Sequence, residues 1–484
     1  MYLIGIKSRA KSILSWLDDG SRDAGMLVIW GITGLGKTTI AKFVYNNHNR
    51  SRFQGSSFLA NLAQQNDLTV LQAQLLSDIK AREERVNNID EGIVKIQNAL
   101  KCRSVLLVLD DVGTQKQMEA MVGNCDWLHK GSKIILTTRN KQVIKTHKSC
   151  VPYELQILNP NESLELFSWH AFGQNEPDER FKEISEKLTN HCGGLPLAIS
   201  VVGSSLSGRC LSIWEDQFKK LVAIPDCEIH EKLKISFDLL EDHDKELFLH
   251  VACFFVGYEK DYVVRIFEGC GFFTKVGFQN LIDKCLLTIW SEFCGEQEKL
   301  EMHQLVQQMG REIVRQESPK DPGSRSRIWD NKDSLHILEE KSGTAKIEGL
   351  ILNIQKAENR KLDGSKKRKF QDAFNKSFIY SLENWVTSTT SRNSCEVAFE
   401  TEAFAMMHNL KFLMINYVKL YGSYKKFPKG LSWLCWHGCP LQSLPSDLYL
   451  KRLVILEMPY SSLRSVWTRA KVCESFFYLF NFFD

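Results

Sequence analysis

The stretch Gly31-Ile-Thr-Gly-Leu-Gly-Lys-Thr-Thr39 constrains this chain more than any other. It fits G-x-x-x-x-G-K-[ST], with Gly31, Gly36, Lys37 and Thr38 at the defining positions and Gly34, Leu35 and Thr39 completing the loop. The apolar run Met26-Leu-Val-Ile-Trp30 enters it as a buried strand, and Thr38-Thr-Ile-Ala-Lys-Phe-Val-Tyr45 leaves it as a helix. Glycines let backbone N–H groups crowd around phosphate oxygens without a Cβ in the way, and the helix N-terminus adds its own anion site. Lys37 is expected to reach the β- and γ-phosphates of a nucleotide, and the Thr38 hydroxyl to ligate Mg²⁺.

The next 120 residues keep a strand–helix rhythm. Ser57-Phe-Leu-Ala60, Ser104-Val-Leu-Leu-Val-Leu109 and Lys133-Ile-Ile-Leu-Thr-Thr138 read as strands, the last two as continuous apolar runs of the central parallel type. This predicts an α/β phosphate-loop NTPase domain, a doubly wound parallel sheet with the nucleotide at its carboxyl edge. The run 106–109 ends in Asp110 and Asp111. Asp110 is expected to hold Mg²⁺ directly or through its water, and Asp111 to position an attacking water. Arg139, closing the next strand, can face the γ-phosphate and sense its presence.

At 484 residues the chain should divide into about three or four domains. Its net charge of +4 gives no bulk argument for nucleic-acid binding. The first residues lack a signal peptide, and no stretch reaches the ~18 apolar residues of a membrane span. Fourteen cysteines are scattered without a C-x-x-C pair, as in a reduced, intracellular protein. The expected location is cytoplasmic, with nuclear entry an alternative raised by Lys366-Lys-Arg-Lys369; a solvated loop is the plainer reading of that run.

The domain plan is a nucleotide-binding domain over residues 1–157, a helical domain over 158–228, a winged-helix domain over 229–318 and a linker over 319–345. The winged helix is suggested by two short β-like runs, Leu286-Leu-Thr-Ile-Trp290 and Lys299-Leu-Glu-Met302, pairing as a hairpin. A short leucine-rich-repeat region follows over 346–468, with a polar insertion at 356–400, and an irregular tail closes the chain at 469–484. Leu410/Leu413/Ile415, Leu431/Leu434/Trp436 and Leu453/Leu456/Met458 repeat with periods of 21 and 22 residues. Each copy should place a short strand on a concave surface. Cys435-Trp-His-Gly-Cys439 lies inside this repeat and reads as packing in preference to a metal site.

Six motifs now stand in order: Gly31 to Thr39, Leu106 to Val112, Gly131-Ser-Lys-Ile-Ile-Leu-Thr-Thr-Arg139, Gly194-Leu-Pro-Leu197, Phe248-Leu-His-Val-Ala-Cys-Phe-Phe255 and Met302-His-Gln304. Together they resemble the nucleotide-binding adaptor (NB-ARC, a STAND-type NTPase switch) of apoptotic activators and plant disease-resistance receptors. The repeats, with Met309-Gly-Arg-Glu-Ile-Val-Arg-Gln-Glu-Ser318 and His170-Ala-Phe172, point to the plant subclass that carries a Toll/interleukin-1-receptor domain. The resemblance begins at residue 3, so the expectation is a form lacking that N-terminal domain and most repeats.

The resemblance implies a switch that closes around ADP and opens on exchange for ATP. It implies that Ile4 and Gly5 line the adenine side, that Pro196 packs near adenine, and that His303 contacts the β-phosphate from the winged helix. The chain departs from the family pattern at three positions. Gln304 and His250 stand where the family has Asp, and Gly113 stands where the subclass has Asp. Three functions remain open: an immune switch with slow ATP hydrolysis through Lys37, Asp110, Asp111 and Arg139; a turnover ATPase or kinase; and a truncated adaptor or non-signalling fragment that binds full-length immune receptors. Expected partners are an adenine nucleotide and other immune receptors or a second copy of the chain, with nucleic acid disfavoured; no pathogen ligand is indicated.

Overall fold

The computed structural model describes residues 2–19, 23–47, 52–65, 67–123, 128–145, 150–291, 297–354, 397–464 and 477–478. The basic run at 366–369, most of the polar insertion, the hairpin turn at 292–296 and most of the tail lie outside the described residues. The chain forms two compact units, Met1–Leu240 with Asn280–Leu286, and Glu241–Gln279 with Leu287–Asp484.

In the first unit, β1 (Gly25–Trp30), β2 (Gly55–Leu59), β3 (Val105–Leu109), β4 (Lys133–Thr138) and β5 (Cys150–Glu154) make one sheet in the order β2-β3-β4-β1-β5. Every pairing is parallel. All residues of β3 and β4 are buried, the reason these strands are apolar throughout and do not alternate. Because β4 lies between β1 and β3, the loop leaving β1 and the carboxylates leaving β3 emerge on the same edge, one strand apart. Helices then follow at Pro160–Phe172, Lys182–His191, Pro196–Leu206, Leu211–Ala223 and Cys227–Asp238. The first starts with a capping box between Asn159 and Glu162 and a proline in its first turn. Fully buried Trp214 holds the group together, its ring 4.8 Å from Phe181, 5.3 Å from Phe172 and 5.7 Å from Phe167. The helix Cys227–Asp238 clusters with this unit, so the compact boundary falls after residue 240, where 229 had been expected.

The second unit opens with a helix, Asp242–His250, that widens into a five-residue π-helix, Val251–Phe255. All five are buried, so the extra residue per turn turns both Phe254 and Phe255 toward packing partners. The expected hairpin forms from β6 (Thr288–Ser291) and β7 (Glu298–Glu301), antiparallel. The stretch 319–345 is not the linker the sequence suggested. It contains β8 (Arg327–Ile328) and a helix, Asn331–Glu339, whose first turn is capped by the Asp330 carboxylate. The Asp and Pro residues that read as linker are the turn and cap chemistry between short elements.

The polar insertion also ends earlier than residue 400. After β9 (Gly349–Asn353), the strand β10 (Val397–Glu400) turns Phe399 into the core. The remaining strands are β11 (Phe412–Asn416), β12 (Val418–Tyr421), β13 (Trp433–Cys435), β14 (Ile455–Glu457) and β15 (Phe477–Tyr478). β11, β13, β14 and β15 join β8 and β9 in a six-stranded parallel sheet in the order β15-β14-β13-β11-β9-β8, and β10 pairs with β12. Phe412 aligns with Trp433 and Trp433 with Ile455, so the leucines of the repeat stack on one side. Ile347, Leu350 and Leu352 join that stack through β9, a further copy that the insertion had hidden.

The other side of these strands is the concave surface that the repeat predicts. It is covered. Phe412, Met414, Trp433, Cys435 and Ile455 are all at most 3% exposed. Phe412 lies 5.7 Å from both Phe255 and Phe267 and 4.8 Å from His250, and Trp433 lies 5.1 Å from Phe255. Gly349 permits this packing, since a Cβ there would stand 2.3 Å from the Phe254 ring. Large aromatics on strand positions are readable in sequence, but their partners arrive from 150 residues upstream. Among the described residues, no helix is long and apolar enough to cross a membrane.

Candidate functional site

The site lies at the carboxyl edge of the first unit's sheet. The loop between β1 and the helix Lys37–Asn47 turns through Gly31, Gly34 and Gly36 at φ of 149°, 87° and 90°. Gly34 is held by more than its dihedral. A Cβ there would stand 2.9 Å from the Leu197 Cβ, and the Leu197 N–H donates to the Gly34 carbonyl at 3.2 Å. The Gly-Leu-Pro-Leu segment is thus docked on the loop, with Pro196 opening the helix Pro196–Leu206. Leu35 is buried beneath the loop.

Lys37 is buried, and its Nζ donates to the Gly31 and Ile32 carbonyls at 2.8 Å each. Burial pushes its pKa down to about 8, with Arg139 adding to the fall and Cys285, Asp111 and Asp110 opposing it. Thr38 Oγ1 donates to Asp110, 2.8 Å from Oδ1 and 3.0 Å from Oδ2. Asp110 is fully buried and also accepts from Thr137 Oγ1 at 2.7 Å. A hydroxyl and a carboxylate at this separation are the two oxygen donors that an octahedral Mg²⁺ takes from such a site. Thr33 Oγ1, on the same loop, is buried with no hydrogen-bond partner among the described residues. An orphaned hydroxyl beside a buried ammonium fits a phosphate-bearing ligand.

Asp111 and Arg139 are brought together in a way the sequence did not suggest. Arg139 Nε and Nη2 donate to Asp111 Oδ1 and Oδ2 at 2.9 and 2.8 Å, a bidentate pair. In this arrangement the carboxylate expected to position water and the guanidinium expected to sense phosphate occupy each other. Asp111 sits at φ 59°, and its N–H is held by Thr137 Oγ1 at 2.8 Å.

The entry segment contributes Gly5 in the left-handed region at φ 65°, with half-buried Ile4 before it. A Cβ on Gly5 would meet Glu162 Oε1 at 2.7 Å. Arg9, which the sequence reading passed over, joins this segment to the loop: its Nε donates to the Gly5 carbonyl at 3.3 Å and its Nη1 to the Leu35 carbonyl at 3.2 Å. Cys285 was also missed. It is buried in the left-handed region at φ 58°, within electrostatic reach of Lys37, and burial raises its thiol pKa to about 11. No local pattern marks it. Thr39 lies in the first turn of the helix after the loop. His303 belongs to the second unit, where its Nδ1 accepts from the Leu305 N–H and caps the helix Gln304–Glu317.

His250, the second family departure, stands in the second unit against fully buried Arg327. The Arg327 Nε lies 3.0 Å from His250 Nδ1, and Glu246 pairs with the same guanidinium. Glu348 Oε2 lies 3.5 Å from His250 Nε2 and 2.9 Å from Lys411 Nζ. Burial, with Arg327 close by, drives the imidazole pKa down to about 3, so it is neutral at pH 7. Glu246 therefore balances the buried arginine, and Glu348 bridges His250 and Lys411.

Residues 6–177 match the model of the NB-ARC domain, and residues 241–318 match that of the Disease resistance protein Roq1-like winged-helix domain. The chain is 36% identical over 474 residues to Disease resistance protein RUN1 of Vitis rotundifolia, covering 96% of this chain and 34% of that protein. It is 32% identical over 476 residues to TMV resistance protein N of Nicotiana glutinosa, covering 97% of this chain and 38% of that protein. The chain thus spans about a third of the length of these curated relatives. With the phosphate loop, the paired aspartates and the hairpin in place, the chain carries an NB-ARC domain and a Roq1-like winged-helix domain and is a homologue of plant disease-resistance proteins.

Proposed function

We propose that this chain is an adenine-nucleotide switch of plant immunity, holding ADP at rest, exchanging it for ATP and hydrolysing ATP slowly. The single observation that carries the reading is the group of buried Lys37, Asp110 and Thr137 with half-buried Thr38, beside the orphaned Thr33 hydroxyl. Thr38 and Asp110 would hold Mg²⁺, which would neutralise phosphate charge. Lys37 would exchange its two carbonyl acceptors for phosphate oxygens. The N–H groups of Gly31, Gly34, Leu35, Gly36, Thr38 and Thr39 would line the phosphates; Ile4, Gly5 and Pro196 would bound the base. The Asp111–Arg139 pair supports slow turnover, because both groups must part before either can act on water or the γ-phosphate. His303 would add the state-dependent contact that links the winged helix to the nucleotide. Other immune receptors or a second copy are the proposed partners, and the cytoplasm the proposed compartment.

The test is the nucleotide released when freshly purified protein is denatured. Stoichiometric ADP is the expected result. An empty protein that also fails to bind added ADP or ATP overturns the reading, and turnover above about 1 s⁻¹, typical of metabolic enzymes, would replace the switch with an enzyme.

A further inference from the structure

The sequence pairs Cys435 with Cys439, but the fold pairs Cys435 with other residues. β13 ends at Cys435, β14 ends at Glu457, and the two residues are directly opposite in the parallel register. His437 follows two residues after Cys435, its N–H held 3.3 Å from Asn416 Oδ1. The Cys435 thiol, a His437 ring nitrogen and a Glu457 carboxylate oxygen all lie within 4.8 Å of one another. Cys435 is buried, and the other two are half-buried.

A second group of metal-ligating residues, Glu246, His250 and Glu348, has the same compactness. It needs no cation, because Arg327 and Lys411 already stand against its carboxylates. Glu457 is different. Among the described residues, the groups bonded to its half-buried carboxyl are the Tyr262 hydroxyl and the Cys435 thiol, both neutral donors. Tyr262 is itself fixed from the repeat side, accepting from Trp433 Nε1 at 2.6 Å. A carboxylate held among neutral donors in an apolar interface lacks a positive charge.

We propose that Cys435, His437 and Glu457 form a zinc site, with Tyr262 orienting the glutamate. The donor set is the reason for zinc: thiolate, imidazole and carboxylate together suit this ion, and ordinary Zn–S and Zn–N distances of about 2.3 and 2.0 Å require only small closing of the present spacing. Charge balance agrees. On binding, the Cys435 thiol releases its proton to solvent, and one thiolate and one carboxylate cancel the two positive charges. His437 would supply the lone pair of a neutral imidazole. The fourth position falls to water. Because Tyr262 lies on the helix Lys260–Gly269, the ion would brace the winged-helix residues against the repeat strands, independently of nucleotide.

The experiment uses the full chain, stripped with chelator, reloaded with zinc chloride and passed through gel filtration. One zinc per chain is expected to remain, with a rise in melting temperature. Cobalt in its place should give a thiolate charge-transfer absorption. Cys435→Ser and His437→Asn should each lose the metal, the absorption and the zinc-dependent melting shift, while Cys227→Ser, at an exposed cysteine, keeps all three. Circular dichroism of the metal-free variants reports folding; His437→Asn, altering a half-buried ring, serves if the cysteine variant does not fold. Failure of the parent to retain zinc, or retention by His437→Asn at the parent's level, overturns the proposal.

Discussion

The two parallel sheets of this chain use the same backbone arrangement for opposite ends. In the first unit, β1, β3 and β4 are buried on both faces and keep their chemistry at their carboxyl tips, where Lys37, Asp110 and Arg139 meet. In the second, the repeat strands spend both faces on packing, leucines on one side and aromatics against the winged-helix residues on the other, and bring Cys435 and Glu457 together at their ends. The comparison teaches where each sheet is vulnerable. Changes at the tips of the first should alter ligand binding with little loss of fold; changes on the faces of the second should alter stability first.

The sharpest way to break this contrast is Trp433→Ala, which removes a fully buried ring and the hydrogen bond to Tyr262. A loss of about 3–5 kcal/mol is expected for a core aromatic, read by denaturant unfolding. A loss below about 1 kcal/mol would mean the strand face is not the packed interface described here. The pH dependence comes next. His250 has its pKa lowered from 6.5 to about 3 by burial and Arg327, so the unfolded chain binds a proton that the folded one refuses. Stability should be whole above about pH 6.5 and fall as pH drops toward 3. Glu348 adds to the fall between about 4.5 and 2: burial would raise its pKa, but hydrogen bonds with His250 and Lys411 outweigh that. His250→Asn should flatten the slope between pH 6.5 and 4.5 in equilibrium unfolding; an unchanged slope would remove His250 from this account.

Lys37→Ala tests the first sheet. Loss of charge-assisted hydrogen bonds should weaken ATP by roughly a hundredfold in calorimetry, with the far-ultraviolet spectrum unchanged. Gly349→Ala should cost about 1–3 kcal/mol, because the new methyl group meets the Phe254 ring. The smallest effect is Thr114→Ala. It removes the capping box before the helix Gln115–Val122, at about 1 kcal/mol, and should leave nucleotide affinity within twofold.

Much of the first sheet was legible because its signals are local. An apolar run of five, a glycine loop and a helix start are each encoded within a few neighbouring residues, and Thr38 and Asp110 followed from chemistry attached to them. The helix Asn331–Glu339 and β10 were misread because short elements flanked by caps and turns look like linker in composition. The repeat copy at Ile347, Leu350 and Leu352 was missed because a long insertion broke the period on which the reading relied.

The sequence by itself determined that a glycine loop joins a buried strand to a helix, and that leucines recur at strand spacing, since loop chemistry and hydrophobic period are written in adjacent positions. Only the tertiary structure decided that Asp111 and Arg139 hold each other, that the Thr33 hydroxyl has no hydrogen-bond partner among the described residues, that Cys285 comes within electrostatic reach of Lys37, and that Glu457 joins Cys435 and His437. Each of these depends on which strand lies beside which and on how deeply a group is taken from water. Contacts between residues distant along the chain set both, and no local pattern carries them.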